Sequence, residues 1–160
     1  MSTINYLKTG DHIICGREVY GGTLRLLVRA ASLMGISTSF VDVREVKNIK
    51  EALKPETKLI WIETPSNPTL QLADIRAVAD LIEQEKRDPK ILLAIDNTFM
   101  TPIFQKPLDL GADLVVYSLT KYINGHSDVL MGAVITNRNE LAEKIAFLQM
   151  GKLSSINYRI

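Results

Sequence analysis

The stretch "DLVVYSLTKYINGHSD", residues 113–128, sets one lysine at the mouth of an apolar run. Lys121 follows Ser118 and Thr120, so an amine and two hydroxyls stand together where the hydrophobic residues stop. Asp96 closes another apolar run, "ILLAI", in the same manner. A carboxylate in that position is costly to desolvate unless a cation or hydrogen-bond donors meet it. Two chemistries suit the pair. Asp96 and Lys121 could form a partly buried salt bridge, or the amine could act as a nucleophile toward a carbonyl while the carboxylate holds another cation. Tyr20 after "HIICGREV", and Glu63 and Asn67 after "LIWI", add polar groups at the ends of two more runs.

The elements that must position these groups alternate between strand and helix patterns. "HIICG", "STSFVDV", "KLIWIET", "ILLAIDN", "DLVVYSLT" and "GAVITN" read as strands. "TLRLLVRAASLMG" reads as a helix with Leu24, Leu27, Val28 and Ala31 on its buried face and Gly35 as its stop. "EVKNIKEAL" is a short helix. "LADIRAVADLIEQEKR" is the clearest one, with Asp74 as N-cap and Ile75, Val78, Ala79 and Ile82 as the buried stripe. "NELAEKIAFLQM" is a further helix with Asn139 as its expected cap, and "TFMTPIFQKPLDLGA" reads as mostly irregular. Strands that are apolar without alternation predict an α/β fold, with a mainly parallel sheet covered by helices on both faces. Ligands of such sheets bind beyond the carboxyl ends of the strands. All the polar candidates fall there.

Pyridoxal phosphate asks four things of a protein: an amine, a carboxylate opposite its ring nitrogen, hydroxyls and N–H groups for its phosphate, and a flat surface against its ring. Lys121, Asp96, Ser118 with Thr120, and Tyr20 are of those types. "SLTKYINGHSD" resembles the cofactor-lysine segment of the Cys/Met-metabolism family of pyridoxal-phosphate enzymes, the transsulfuration group of fold type I. "VYGGTLR" at 19–25, "IETPSNPT" at 62–69 and "AIDNTFMTP" at 94–102 match it in order and spacing. The resemblance implies that Lys121 carries the cofactor and moves protons on the substrate's α and β carbons. It implies that Asp96 holds the pyridine nitrogen, that Tyr20 stacks on the ring and assists the substrate amine, and that Ser118 and Thr120 bind the phosphate. Asn67 is implied at the ring hydroxyl, Arg25 near the substrate's distal end, and Glu63 near the cofactor and substrate. Within the family the motifs look most like the γ-lyase branch. That branch cleaves cystathionine to cysteine, 2-oxobutanoate and ammonia, and can release hydrogen sulfide from cysteine. The γ-synthase branch is next. Family members assemble as homodimers that pair into homotetramers.

The bulk numbers narrow the field. The chain has 160 residues, 46% hydrophobic and 23% charged, with a net charge of +1 and no basic patch to suggest nucleic acid or an anionic membrane. One cysteine, Cys15, cannot pair internally and reads as a buried small hydrophobe. His12 and His126 lack ligand spacing, so no metal site is expected; His126 is expected to satisfy nearby backbone, and Trp61 to lie in the core or at an interface. With no signal-like or membrane-spanning run, a cytoplasmic location is the expectation. The family's Ser-Gly phosphate turn, N-terminal arm and C-terminal domain with its carboxylate-binding arginine have no counterpart in these residues. The expectation is therefore a partial large domain over 1–150, a divergent tail over 151–160 and little lyase activity from the chain alone.

Overall fold

The computed structural model describes residues 4–150, and the tail expected over 151–160 lies outside them. Six strands form one sheet: β1 (His12–Gly16), β2 (Ser37–Val41), β3 (Thr57–Glu63), β4 (Leu92–Asp96), β5 (Leu114–Ser118) and β6 (Gly132–Ile135). Their order is β2-β1-β3-β4-β5-β6. The first five run parallel, and β6 pairs antiparallel with β5, Ser118 opposite Gly132.

The two faces of the strands explain the absence of alternation. Ile14, Ile60, Ile62, Leu93 and Ile95 pack on one side with α2 (Val46–Glu51) and α3 (Ile75–Glu85). Ile13, Cys15, Leu59, Trp61, Ala94 and Leu114 pack on the other, with Leu27 and Ala31 and with Leu141 and Ile145 of α5 (Asn139–Met150). Each such side chain buried contributes about 2 kcal/mol.

α3 is as expected: the Asp74 carboxylate accepts from Ala77 N–H at 3.0 Å, and Ile75, Val78, Ala79 and Ile82 are buried. The first helix is not. α1 (Gly21–Arg25) passes into a π turn over Leu26–Ala31. Its wider i→i+5 turns upset the i, i+3, i+4 spacing. Leu27 and Ala31 are buried, but Leu24 and Val28 are exposed. Gly35 ends this segment with φ +73, and a Cβ there would fall 2.6 Å from Thr9 Cγ2, so the stop needs glycine on both counts.

Two other expectations shift. Asn139 is the first residue of α5 and not the residue before it. The segment expected to be irregular holds α4 (Thr101–Phe104) and a 3₁₀ turn over Pro107–Leu110, each with proline in its first turn, where a missing N–H removes no bond. At the sheet's amino end, buried His12 meets Thr57 Oγ1 at 2.8 Å and Ser39 Oγ at 2.9 Å, and burial pushes its imidazole down to about 4. Burial pushes the Cys15 thiol up, so it stays protonated.

Candidate functional site

Parallel register brings the ends of three strands together. Glu63 lies opposite Asp96 and Asp96 opposite Val116, with Ser118 two residues further along β5. Above this edge, on the side of the first helix, opens a cleft of about 400 Å³. Its lining includes Tyr20, Trp61, Asp96, Ser118, Thr120 and Met131.

Asp96 is half-buried. Its Oδ1 accepts twice from Thr98, from the backbone N–H at 3.0 Å and the hydroxyl at 2.6 Å. Among the described residues Oδ2 accepts no hydrogen bond. Burial raises the carboxyl's pKa, and the two Thr98 bonds pull it back. The same Thr98 hydroxyl accepts from Ser118 N–H at 2.9 Å, joining the end of β4 to the end of β5. Buried Asn97 braces the turn behind them. Its amide donates to Gln105 O at 2.9 Å and to the Tyr117 hydroxyl at 2.8 Å, and its Oδ1 accepts from Gln105 Nε2 at 2.8 Å.

Tyr20 precedes α1 and is 53% exposed, with its ring against Gly22; a Cβ on Gly22 would lie 2.5 Å from the ring. Its backbone N–H donates to Glu63 Oε2 at 2.7 Å. Glu63 is 5% exposed, and burial, with Asp96 nearby, pushes its carboxyl up to about 7.

Lys121 stands on the turn beyond Thr120. Its N–H donates to Ser118 O at 3.1 Å, and its carbonyl accepts from Gly125 N–H at 2.8 Å. Its side chain is exposed and makes no ion pair among the described residues, so the salt bridge with Asp96 is not formed. The Thr120 hydroxyl bonds Met131 backbone, accepting from its N–H at 3.0 Å and donating to its carbonyl at 3.3 Å. This closes the base of the 119–131 loop. His126 contacts Asn124 O at 2.6 Å, the backbone role expected of it.

The edge therefore gathers Tyr20, Asp96, Ser118 and Thr120 around one cleft, with Glu63 and Lys121 adjoining. Asn67, on the loop after β3, and Arg25, exposed at the end of α1, are not among its lining residues. Sequence reasoning missed Thr98; Trp61 lies in the core as expected, and it also borders the cleft. The Asp-x-Thr spacing, in which side chains bond backbone two residues away, was the available signal for Thr98. Nothing in the sequence distinguishes Trp61 from a core residue.

A carboxylate with one unused oxygen, an aromatic ring and a hydroxyl facing one cleft are the donor types that pyridoxal phosphate requires, and the residues present fit it. Fold and site define the class as an α/β protein of the pyridoxal-phosphate-dependent kind. The family model described as "Cys/Met metabolism PLP-dependent enzyme" matches residues 1–157, and the chain belongs to that family. It is 52% identical over 149 residues to cystathionine gamma-lyase of Rattus norvegicus, covering 92% of this chain and 37% of that protein. A Herpetosiphon aurantiacus protein named "Probable cystathionine gamma-synthase" is 50% identical over 143 residues, covering 89% of this chain and 44% of its own length. The crystal structure of cystathionine gamma-lyase from Lactobacillus plantarum complexed with L-serine superposes with a TM-score of 0.89 at 43% identity, over 94% of this chain and 38% of that one. The chain thus spans less than half the length of the relatives it matches. No helix among the described residues is long and apolar enough to cross a membrane.

Proposed function

We propose that this chain forms the cofactor-holding part of a carbon–sulfur lyase that cleaves cystathionine, with water, to cysteine, 2-oxobutanoate and ammonia. The observation that carries the reading is Asp96 Oδ2, which accepts no hydrogen bond among the described residues, on a half-buried aspartate lining a cleft that Tyr20 also lines. When bound, pyridoxal phosphate draws electrons from the substrate's α carbon and so weakens bonds at that carbon and its neighbours. Asp96 offers Oδ2 to the ring nitrogen and keeps a proton there. Tyr20, which lines the cleft, would hold the cofactor's ring face, and its hydroxyl would take a proton from the substrate amine. Lys121 Nζ, which makes no ion pair among the described residues, would hold the cofactor and then carry protons between the α and β carbons. The Ser118 hydroxyl meets the phosphate, and Thr120, fixed by Met131, shapes the loop beside it. Asn67 is assigned the ring hydroxyl and Arg25 the substrate's distal end.

Homodimers, pairing further into homotetramers, are part of the proposal. Tyr122, Ile123, Leu130 and Met131 are exposed apolar side chains around the lysine loop, and a second copy would cover them. Sedimentation at several concentrations tests this.

The site assignment is tested by adding pyridoxal phosphate, reducing with borohydride and locating the label by mass spectrometry. The label is expected on Lys121; a label elsewhere, or none, overturns the assignment. The γ-synthase reading stays alive because the two kinds of relative match at 52% and 50% identity. Product analysis separates them: a lyase releases 2-oxobutanoate from cystathionine, whereas a synthase consumes cysteine to make it.

A further inference from the structure

Glu63 is the buried carboxyl that the cleft does not use. Its side chain is not among the lining residues, yet it belongs to the same edge. We infer that Glu63 is a positioning residue: it clamps the Tyr20 backbone N–H and thereby sets the Tyr20 ring over the cleft. This rests on the reading of the cleft given above and moves Glu63 from contact with substrate to action through Tyr20.

The local geometry supports the clamp. The turn from Gly16 to Gly21 is tied at its start by Arg17 N–H to Val41 O at 2.8 Å. At its end it is tied by Tyr20 N–H to Glu63 Oε2 at 2.7 Å, short for an N–H···O bond and in the range of charge-assisted ones. Tyr20 itself is non-helical, φ −48 and ψ 134, and its side chain makes no capping bond that would fix it otherwise. The ring is backed by Gly22, where even a methyl group would fall 2.5 Å from it. One bond on the N–H and one surface behind the ring define the direction of an aromatic side chain that is otherwise half exposed. The titratable groups facing Glu63 are Asp96 on β4 and Cys15 on β1.

Hydrogen exchange in the whole chain, without cofactor, tests the clamp directly. Glu63→Leu should speed exchange of the Tyr20 amide by about tenfold or more while α3 amides keep their protection. Glu63→Gln, whose side-chain oxygen still accepts, should return it to within about threefold of the original. Equal protection in Glu63→Leu and the parent chain, or a Gln variant as unprotected as the Leu variant, overturns the inference. A measurement on the unaltered chain covers the case in which Glu63→Leu fails to fold. The Tyr20 amide resonance should titrate together with the Glu63 side-chain carboxyl carbon, and an amide that stays still overturns the clamp. With cofactor present, Glu63→Leu should lose most of the induced circular dichroism of the cofactor band while borohydride still fixes the label to Lys121. A parent chain that takes up no cofactor sinks the reading of the cleft and leaves the exchange result intact.

Discussion

Two aspartates at adjacent strands, one buried and one half-buried, show how differently the ends of one sheet treat the same group. Asp113, at the amino end of β5, has both oxygens engaged. Oδ2 accepts from Leu93 N–H at 2.9 Å, and Oδ1 meets Arg138 at 2.8 Å and Lys90 at 3.6 Å. Asp96, at the carboxyl end of β4, has Thr98 on Oδ1 and nothing among the described residues on Oδ2. Full pairing marks a carboxylate that holds the fold together. Incomplete pairing at a cleft leaves an acceptor open to a donor from outside.

Replacement of each aspartate by asparagine is the most direct way to break that contrast. Asp113→Asn should lower stability by about 3 kcal/mol, since Arg138 loses its counter-charge while Lys90 keeps Glu83 at 2.6 Å, and urea unfolding measures it. Asp96→Asn should change stability by less than about 1 kcal/mol but weaken pyridoxal-phosphate uptake about tenfold or more. Similar stability losses in both would erase the distinction.

Glu63 extends the contrast to pH. Its carboxyl is raised from 4.5 to about 7, so the folded chain holds that proton more tightly than the unfolded chain. The stability this gives is complete below about pH 4.5 and declines as pH rises toward 7. Glu63→Gln has no such titration. It should gain on the parent chain by on the order of 2 kcal/mol across that window, as read from thermal melts at matched ionic strength. A constant difference between the two would mean that the carboxyl is solvated.

Thr98→Val should cost about 1.5 kcal/mol, because Ser118 N–H loses its acceptor and Asp96 one donor. The loss should grow as pH rises from the acid side, because burial raises the Asp96 carboxyl's pKa and its protonated form needs the donor less. The smallest effect is expected from Gly22→Ala. Stability should stay within about 1 kcal/mol, the alanine's better helix propensity offsetting the displaced ring, while induced dichroism of bound cofactor shifts. An unchanged spectrum would mean that the ring position is immaterial.

Much of this was legible in the sequence because the signals were local and redundant. The runs around Ile60, Leu93 and Val115 are too apolar for a one-sided sheet, and Asp74 announces α3 by capping alone. The end-of-strand rule placed Tyr20, Asp96 and Ser118 at one edge before any coordinates. What escaped depended on tertiary geometry. Leu24 and Val28 have helical spacing, but the π turn beside them alters which side chains face the sheet. The separation of Asp96 from Lys121 follows from how the 119–131 loop turns after β5. Glu63 reads in sequence as one more polar group near a ligand; only the bond to Tyr20 N–H gives it a different part.

The antiparallel return of β6 has an evolutionary consequence. Strand register fixes where Asp96 stands, because moving it would mean re-registering β4 against β3 and β5. The lysine rides on a loop that leaves and re-enters the sheet at one edge, closed at its base by Thr120 and Met131. Lengthening such a loop costs little closure entropy and re-threads nothing. The reach of the Lys121 amine is therefore the adjustable dimension of this scaffold, able to vary while the sheet stays as it is.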